Sequence, residues 1–234
     1  MAYFPMFIDL EGKKCLVVGG GRVAARKAVQ LLDFGADLLV VAKEASPEMQ
    51  RLAESGGPDG TAALGQGADG TAGTRHLRLQ LRPASVEDAK GMDLVICASD
   101  DRGLHEEIAA FCKEHQILVN VADDKEGSSF LFPGLVRQGE VVLGITFGGK
   151  SPAAVRYLRG QIEGMLPPYL GGLVERLGAL RERIKETVPD PRERERLFTA
   201  LFFAGIEGEG SSPEDLEELV REMLETANTA KGGK

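Results

Sequence analysis

The chain has 234 residues, 43% of them hydrophobic and 27% charged, with a formal net charge of −8. Such a composition suits a water-soluble globular protein with a well-buried core, built as one large domain or two modest ones. The acidic balance excludes a nucleic-acid binder, because no basic stripe is present to neutralise phosphates.

Taken in chain order, the first half alternates strand and helix. Strands are expected at Lys14–Val18, Asp37–Ala42, His76–Leu81, Asp93–Cys97 and Ile117–Val121, with helices at Val23–Phe34 and Arg102–Glu114. Alternation of this kind argues a parallel sheet with helices on both faces, and uniformly apolar strands such as CLVVG and LVICA fit burial on both sides. Ser55–Thr74 interrupts the pattern; it is rich in Gly, Ala and Thr and reads as a mobile surface loop. Ser128–Phe147 reads as two strands joined at Arg137-Gln138-Gly139-Glu140. A lone hairpin is marginal in water, so a second subunit is the expected partner. Helices follow at Ser151–Met165, Pro167–Thr187, Asp190–Ala204 and Ser212–Thr229, and the AKGGK tail is expected to fray.

Cys15, Cys97 and Cys112 are odd in number and widely spaced, which reads as buried free thiols in a reducing compartment. His76, His105 and His115 show no ligand-type spacing with them, so no resident metal is expected. The N-terminal MAYFPMFIDLEGKK has neither a basic n-region nor an apolar h-region, and no run of about 18 apolar residues occurs. A cytoplasmic protein, off the membrane, is expected.

Gly19-Gly20-Gly21-Arg22-Val23-Ala24 fits G-x-G-x-x-G/A between an apolar strand and a helix. Gly19 permits the tight turn, Gly21 lets the backbone approach a pyrophosphate, and Ala24 allows close helix–strand packing. Helix-start amides and the helix dipole then face the phosphates. The fold class expected is therefore α/β, with a Rossmann-like sheet domain over residues 1–125, a small β dimerisation segment over 126–150 and a helical domain over 151–234. One element of the dinucleotide pattern is missing. The second strand ends Val40-Val41-Ala42-Lys43 rather than in an acid that would accept the ribose hydroxyls. Lys43 suits a 2′-phosphate, hence NADP, or is merely solvated; Glu44 could take the ribose contact instead. Chemistry alone leaves that choice open.

The stretches FPMFIDLEGKKCLVVGGGRVAARKAVQLLDFGADLLVV, CASDD, LVNVADD, SSFLFPGLV and GGKSPAAVRYLRGQIEGMLPPYLGGLVERLGALRERIK together resemble the precorrin-2 dehydrogenase family, the N-terminal module of siroheme synthases. The resemblance runs from Tyr3 to about Phe203. It implies oxidation of precorrin-2 to sirohydrochlorin with NAD as hydride acceptor; some members also insert ferrous iron. The family typically lacks the acid at the second strand and still prefers NAD. Matched residue by residue, Gly19, Gly20, Gly21, Arg22 and Val23 form the pyrophosphate turn, with Lys43 and Glu44 at the ribose edge. Ala98, Ser99 and Asp100 match a loop on the nicotinamide side, and Asp123 of NVAD matches the family's essential acid, with Asn120 beside it. Three departures stand out: a long insertion at Ser55–Thr74, Lys125 in place of a common proline, and no methyltransferase half after the helices.

Dehydrogenation needs a base within hydrogen-bond reach of the ring, and Asp123 is the carboxylate expected to serve. Precorrin-2 is a polycarboxylate, so the acidic field of the chain must be inverted locally. Lys150, Ser151, Arg156 and Arg159, around the GGKSP helix start, are the expected substrate contacts together with Asn120. The pairs Asp100-Asp101 and Asp123-Asp124 suit a hard cation in principle, but Asp101 and Asp124 read as solvated. Two competing readings remain: a bifunctional dehydrogenase and ferrochelatase, and a non-catalytic NAD-sensing module on the same fold. A sensor needs neither an acid at NVAD nor a basic helix start.

Overall fold

The computed structural model describes residues 3–55, 61–62, 75–208, 218, 220 and 221. Within these the chain divides into two compact units: 1–133 with 146–152, and 134–145 with 153–234. The hairpin strands fall with the helices, and residues 146–152 with the sheet unit.

In the first unit the strands β1 (Lys14–Val18), β2 (Asp37–Ala42), β3 (Thr61–Ala62), β4 (Arg75–Leu81), β5 (Leu94–Cys97) and β6 (Leu118–Val121) form one sheet in the order β3-β4-β2-β1-β5-β6. The pairs β4·β2, β2·β1, β1·β5 and β5·β6 are parallel and only β3·β4 is antiparallel. The order of the parallel strands reverses between β1 and β5. That is the switch point at which open α/β sheets hold ligands. Helices α1 (Arg22–Asp33), α2 (Pro47–Glu54) and α3 (Arg102–Glu114) connect them.

Alternate residues of each strand feed different cores. Cys15, Val17, Leu38, Val40 and Ile96 pack with Ala24, Ala28 and Leu31 of α1, whereas Leu16, Val18, Val95 and Val119 pack with Ile108 and Cys112 of α3. All three cysteines are free and buried. Most of the expected insertion Ser55–Thr74 lies outside the described residues; within it Ser55, which caps the end of α2, and Thr61–Ala62, as β3, are described. Helix α2 was not expected: its Ser46 cap accepts from the Met49 amide at 3.3 Å, and Pro47 opens its first turn.

The second unit holds β7 (Gly134–Gln138), β8 (Val141–Ile145), α4 (Pro152–Met165), α5 (Leu170–Thr187) and α6 (Pro191–Glu207). β7 and β8 pair antiparallel around a two-residue turn in which Gly139 takes φ 55°. The hairpin is shorter than expected, because Ser128 and Ser129 pair elsewhere. Its partners within the unit are helices: Gly134 packs against Val155 of α4, and Gly171 of α5 packs so close to Gln138 that an added Cβ would stand 2.5 Å from the Gln138 carbonyl oxygen. Leu173, Leu180 and Ile184 of α5 meet Leu197 and Leu201 of α6 in a separate core. The helix expected at Ser212–Thr229 lies almost wholly outside the described residues.

Candidate active site

Register brings the motifs of the sheet unit to one level. Val18 pairs with Val41 and with Cys97, and Cys97 pairs with Val121. The next residues, Gly19, Ala42, Ala98 and Ala122, therefore line the carboxyl edge of the sheet. Gly19 donates to the Val41 carbonyl at 2.9 Å, and Ala98 to that of Val18 at 2.8 Å.

The three glycines of the turn do different work. Gly19 has φ 121°, and a Cβ there would stand 2.5 Å from the Ala98 carbonyl oxygen. A Cβ on Gly20 would collide with the Glu44 carbonyl, whose loop is drawn in by the Ser46 amide donating to the Gly20 carbonyl at 2.8 Å. Gly21 differs: its φ of −76° is ordinary, and nothing lies within 4 Å of its Cβ position. Sterics of the protein explain two glycines, and open space in front of the third leaves room for a ligand. Gly21 caps α1 without a side-chain hydrogen bond, so the first-turn amides lack a side-chain acceptor. An open cradle beside uncapped amides fits the pyrophosphate of a dinucleotide. Arg22 and Val23 are exposed beside it, as are Lys43 and Glu44 after β2. Glu48, on the first turn of α2, is held below the usual carboxylate range by backbone and Ser46 hydrogen bonds, with smaller help from Arg51 and Arg22.

Across the switch point, Ser99 is held by His105. The Ser99 hydroxyl lies 2.8 Å from His105 Nε2, and the Ser99 amide donates to the same nitrogen at 3.3 Å. His105 is buried, and desolvation lowers its pKa against the opposing pull of Asp101, Asp100 and Asp124. Asp101 caps α3 by accepting from Leu104 at 3.1 Å. Asp124 accepts from the amides of Glu126 and Gly127, each at 2.9 Å. These two acids are exposed and also shape their loops. Asp100 and Asp123 stay exposed.

Asp123 stands in a left-handed conformation, φ 60°, directly after β6. That conformation is uncommon for residues with a Cβ, and strain of this kind gathers at functional sites. Ser128 and Ser129 hold the strand before it, their hydroxyls accepting from Val121 and Val119 at 2.9 Å. Lys125 donates to the Gly148 carbonyl at 3.0 Å, tying the Asp123 turn to the segment that carries Lys150 and Ser151. Lys150 is exposed. Arg156 and Arg159 belong to the other unit, where Arg159 pairs with Glu163 at 3.3 Å along α4. Asn120 is buried; its Oδ1 accepts from Lys27 Nζ at 2.8 Å and its Nδ2 donates to the Phe130 carbonyl at 3.1 Å.

Sequence reasoning missed Lys27. The signal was there: Lys27 falls between Ala24, Ala28 and Leu31 on the buried stripe of α1. Among the described residues no group of three or more His, Cys, Asp and Glu is placed to hold a metal ion. No helix among them is long and apolar enough to cross a membrane.

Comparison with known proteins agrees with this geometry. Residues 6–134, more than half of the chain, match the family described as "Putative NAD(P)-binding". The siroheme synthase of Methylococcus capsulatus is 34% identical over 98% of this chain and 44% of its own length. That of Zymomonas mobilis is 34% identical over 99% of this chain and 46% of its own, and that of Ectopseudomonas mendocina 36% over 96% and 44%. The chain thus spans less than half the length of these curated relatives. Among solved structures, SirC, a precorrin-2 dehydrogenase, superposes with a TM-score of 0.68 at 20% identity, covering 95% of this chain and 100% of SirC, which shows a shared fold. With its glycine turn, its switch point between β1 and β5 and the match over residues 6–134, the chain belongs to this NAD(P)-binding family.

Proposed function

We propose that the protein oxidises precorrin-2 to sirohydrochlorin, with NAD as the nicotinamide cofactor. The observation that carries the reading is the convergence of the open Gly21 cradle, the Ser99 loop and the strained Asp123 on one sheet edge. The siroheme synthase relatives and the resemblance of the NVAD and GGKSP motifs support the substrate.

Bound NAD supplies the hydride acceptor. The protein's own work is to place and deprotonate the substrate. Amides at the start of α1 hold the pyrophosphate, and the Ala98–Asp100 loop, fixed by His105, borders the nicotinamide side. Asp123 takes the proton that leaves as the ring is oxidised. Lys150, exposed in the sheet unit, supplies a cation for a substrate carboxylate. NAD is favoured over NADP on the family resemblance, since that family lacks the acid at the second strand and still prefers NAD; at this edge Glu44 and Glu48 are balanced by Lys43, Arg22 and Arg51. Among the described residues no further strand pairs with the outer edges of β7 and β8, which supports a homodimer, to be read by light scattering.

The test is anaerobic turnover of precorrin-2 by the purified protein with NAD or NADP. Sirohydrochlorin and reduced NAD should appear in equal amounts, with NADP the poorer substrate. Binding of NAD without turnover would replace the enzyme by a sensor.

A further inference from the structure

Lys27 is a lysine only 9% exposed, on a helix whose buried face is otherwise Ala and Leu. An ammonium taken out of water is costly unless it is compensated. Two neutral groups clamp this one: Asn120 Oδ1 at 2.8 Å, and the Phe132 ring with its centroid 4.1 Å away. The Asn120 Nδ2 bond to Phe130 fixes which end of the carboxamide meets the lysine. Leu118 packs on the α1 side of the sheet, and Asn120, two residues on, faces the same way. The clamp therefore reaches from α1 to the end of β6, just ahead of Asp123.

Neither clamp is an anion. The charged groups acting on the ammonium are Arg26, from its own helix, and Asp123, from the turn after β6. Burial lowers the Lys27 pKa to about 8, Arg26 adds to the fall, and Asp123 pulls it back up.

Resting on the dehydrogenase reading above, we propose that Lys27 is a positioning residue, the buried cation that fixes the Asn120 carboxamide and, through it, the end of β6 from which the Asp123 turn leaves. Protonated, it gives Asn120 a charge-assisted hydrogen bond. Deprotonated, it keeps only a weaker neutral bond to Asn120. Precorrin-2 oxidation then falls as pH rises through about 8, the value at which the ammonium is lost.

The experiment joins kinetics with ¹³C NMR of the lysine Cε carbons in the full chain. In the wild type, the alkaline limb of kcat and the Lys27 Cε titration should share one midpoint. Asp123→Asn removes the negative partner, so that titration should move to lower pH. Asn120→Asp sets an anion against the ammonium and should move titration and alkaline limb to higher pH. Lys27→Met should lower kcat about 10- to 100-fold through misplacement of the base, abolish the limb, and leave NAD affinity unchanged. If Lys27→Met fails to fold, the Asn120→Asp arm decides. An alkaline limb unmoved by Asn120→Asp overturns the proposal, as does Lys27→Met with wild-type kcat and an intact limb. A wild-type protein that does not oxidise precorrin-2 sinks the dehydrogenase reading instead, and the NMR arm still judges the coupling.

Discussion

Ser99 presents both its hydroxyl and its amide to a single nitrogen of His105, at 2.8 and 3.3 Å. The amide can only donate, so Nε2 is an acceptor and the ring is neutral with its proton on Nδ1. Protonation would turn that acceptor into a donor: the Ser99 hydroxyl could accept from it, but the Ser99 amide would lose its partner.

His105 should therefore make stability fall in mild acid. Its folded pKa is lowered from 6.5 by desolvation, so the unfolded chain takes up the proton first. Stability is full above 6.5 and is lost as pH falls through that value toward the lower folded pKa. Urea unfolding at pH 7.5 and at 5.5 should show a larger loss in the wild type than in His105→Gln. Equal losses would remove His105 as the cause.

The glycine turn should separate folding from binding. Gly19→Ala and Gly20→Ala meet backbone at Ala98 and Glu44 and should destabilise by about 1–3 kcal/mol. Gly21→Ala meets nothing, so its thermal midpoint should stay near wild type while NAD affinity falls about tenfold or more, since the methyl projects into the open space proposed for the pyrophosphate. Calorimetric melting and NAD titration of the three variants check this. Unchanged affinity in Gly21→Ala would move the cofactor elsewhere.

Lys27→Met should impair the enzyme and remove a pH dependence of stability. A lysine whose pKa drops from 10.5 to about 8 on folding is held less tightly protonated in the native state than in the unfolded one. The wild type should thus gain stability as pH rises from about 8 to 10.5. Lys27→Met should lose that gain, and at neutral pH relief of the buried ammonium is set against an Asn120 Oδ1 left without its donor, which costs about 1–3 kcal/mol. Denaturant melts across that range decide, and a Lys27→Met variant that still gains stability as pH rises from about 8 to 10.5 would contradict the account.

Lys125→Met should loosen the Asp123 turn. Losing its bond to the Gly148 carbonyl should speed amide hydrogen exchange at residues 123–127 and lower kcat a few-fold, about 1 kcal/mol in barrier. Unchanged exchange would show that the two segments are held by other contacts.

How much of this was legible in the sequence follows from how local each signal is. β1, the turn, α1 and β2 were readable because an uninterrupted apolar run, three glycines and a helical stripe are adjacent in the chain. Pro47–Glu54 escaped because it is short, mostly polar and buries only Met49. Ser128 and Ser129 were read as strand, yet their hydroxyls serve the edge of β6. No periodicity reports such a bond. Asp101 and Asp124 looked like their neighbours Asp100 and Asp123, and only the loop amides distinguish cap from candidate base. The Lys27–Asn120 contact spans 93 positions, a distance over which sequence pattern carries no pairing.

The most direct measurement is single-turnover oxidation of precorrin-2 at saturating NAD, in the wild type, Asp123→Asn and Asp123→Gly. Asparagine and glycine both tolerate the φ of 60°, so both variants should fold, the glycine at least as stably as wild type. NAD affinity should be unchanged, because the glycine turn makes its contacts through backbone amides. The account predicts that both lose about 10²–10⁴ in rate, the ordinary contribution of a general base. Folded variants that bind NAD and oxidise precorrin-2 at the wild-type rate would contradict it.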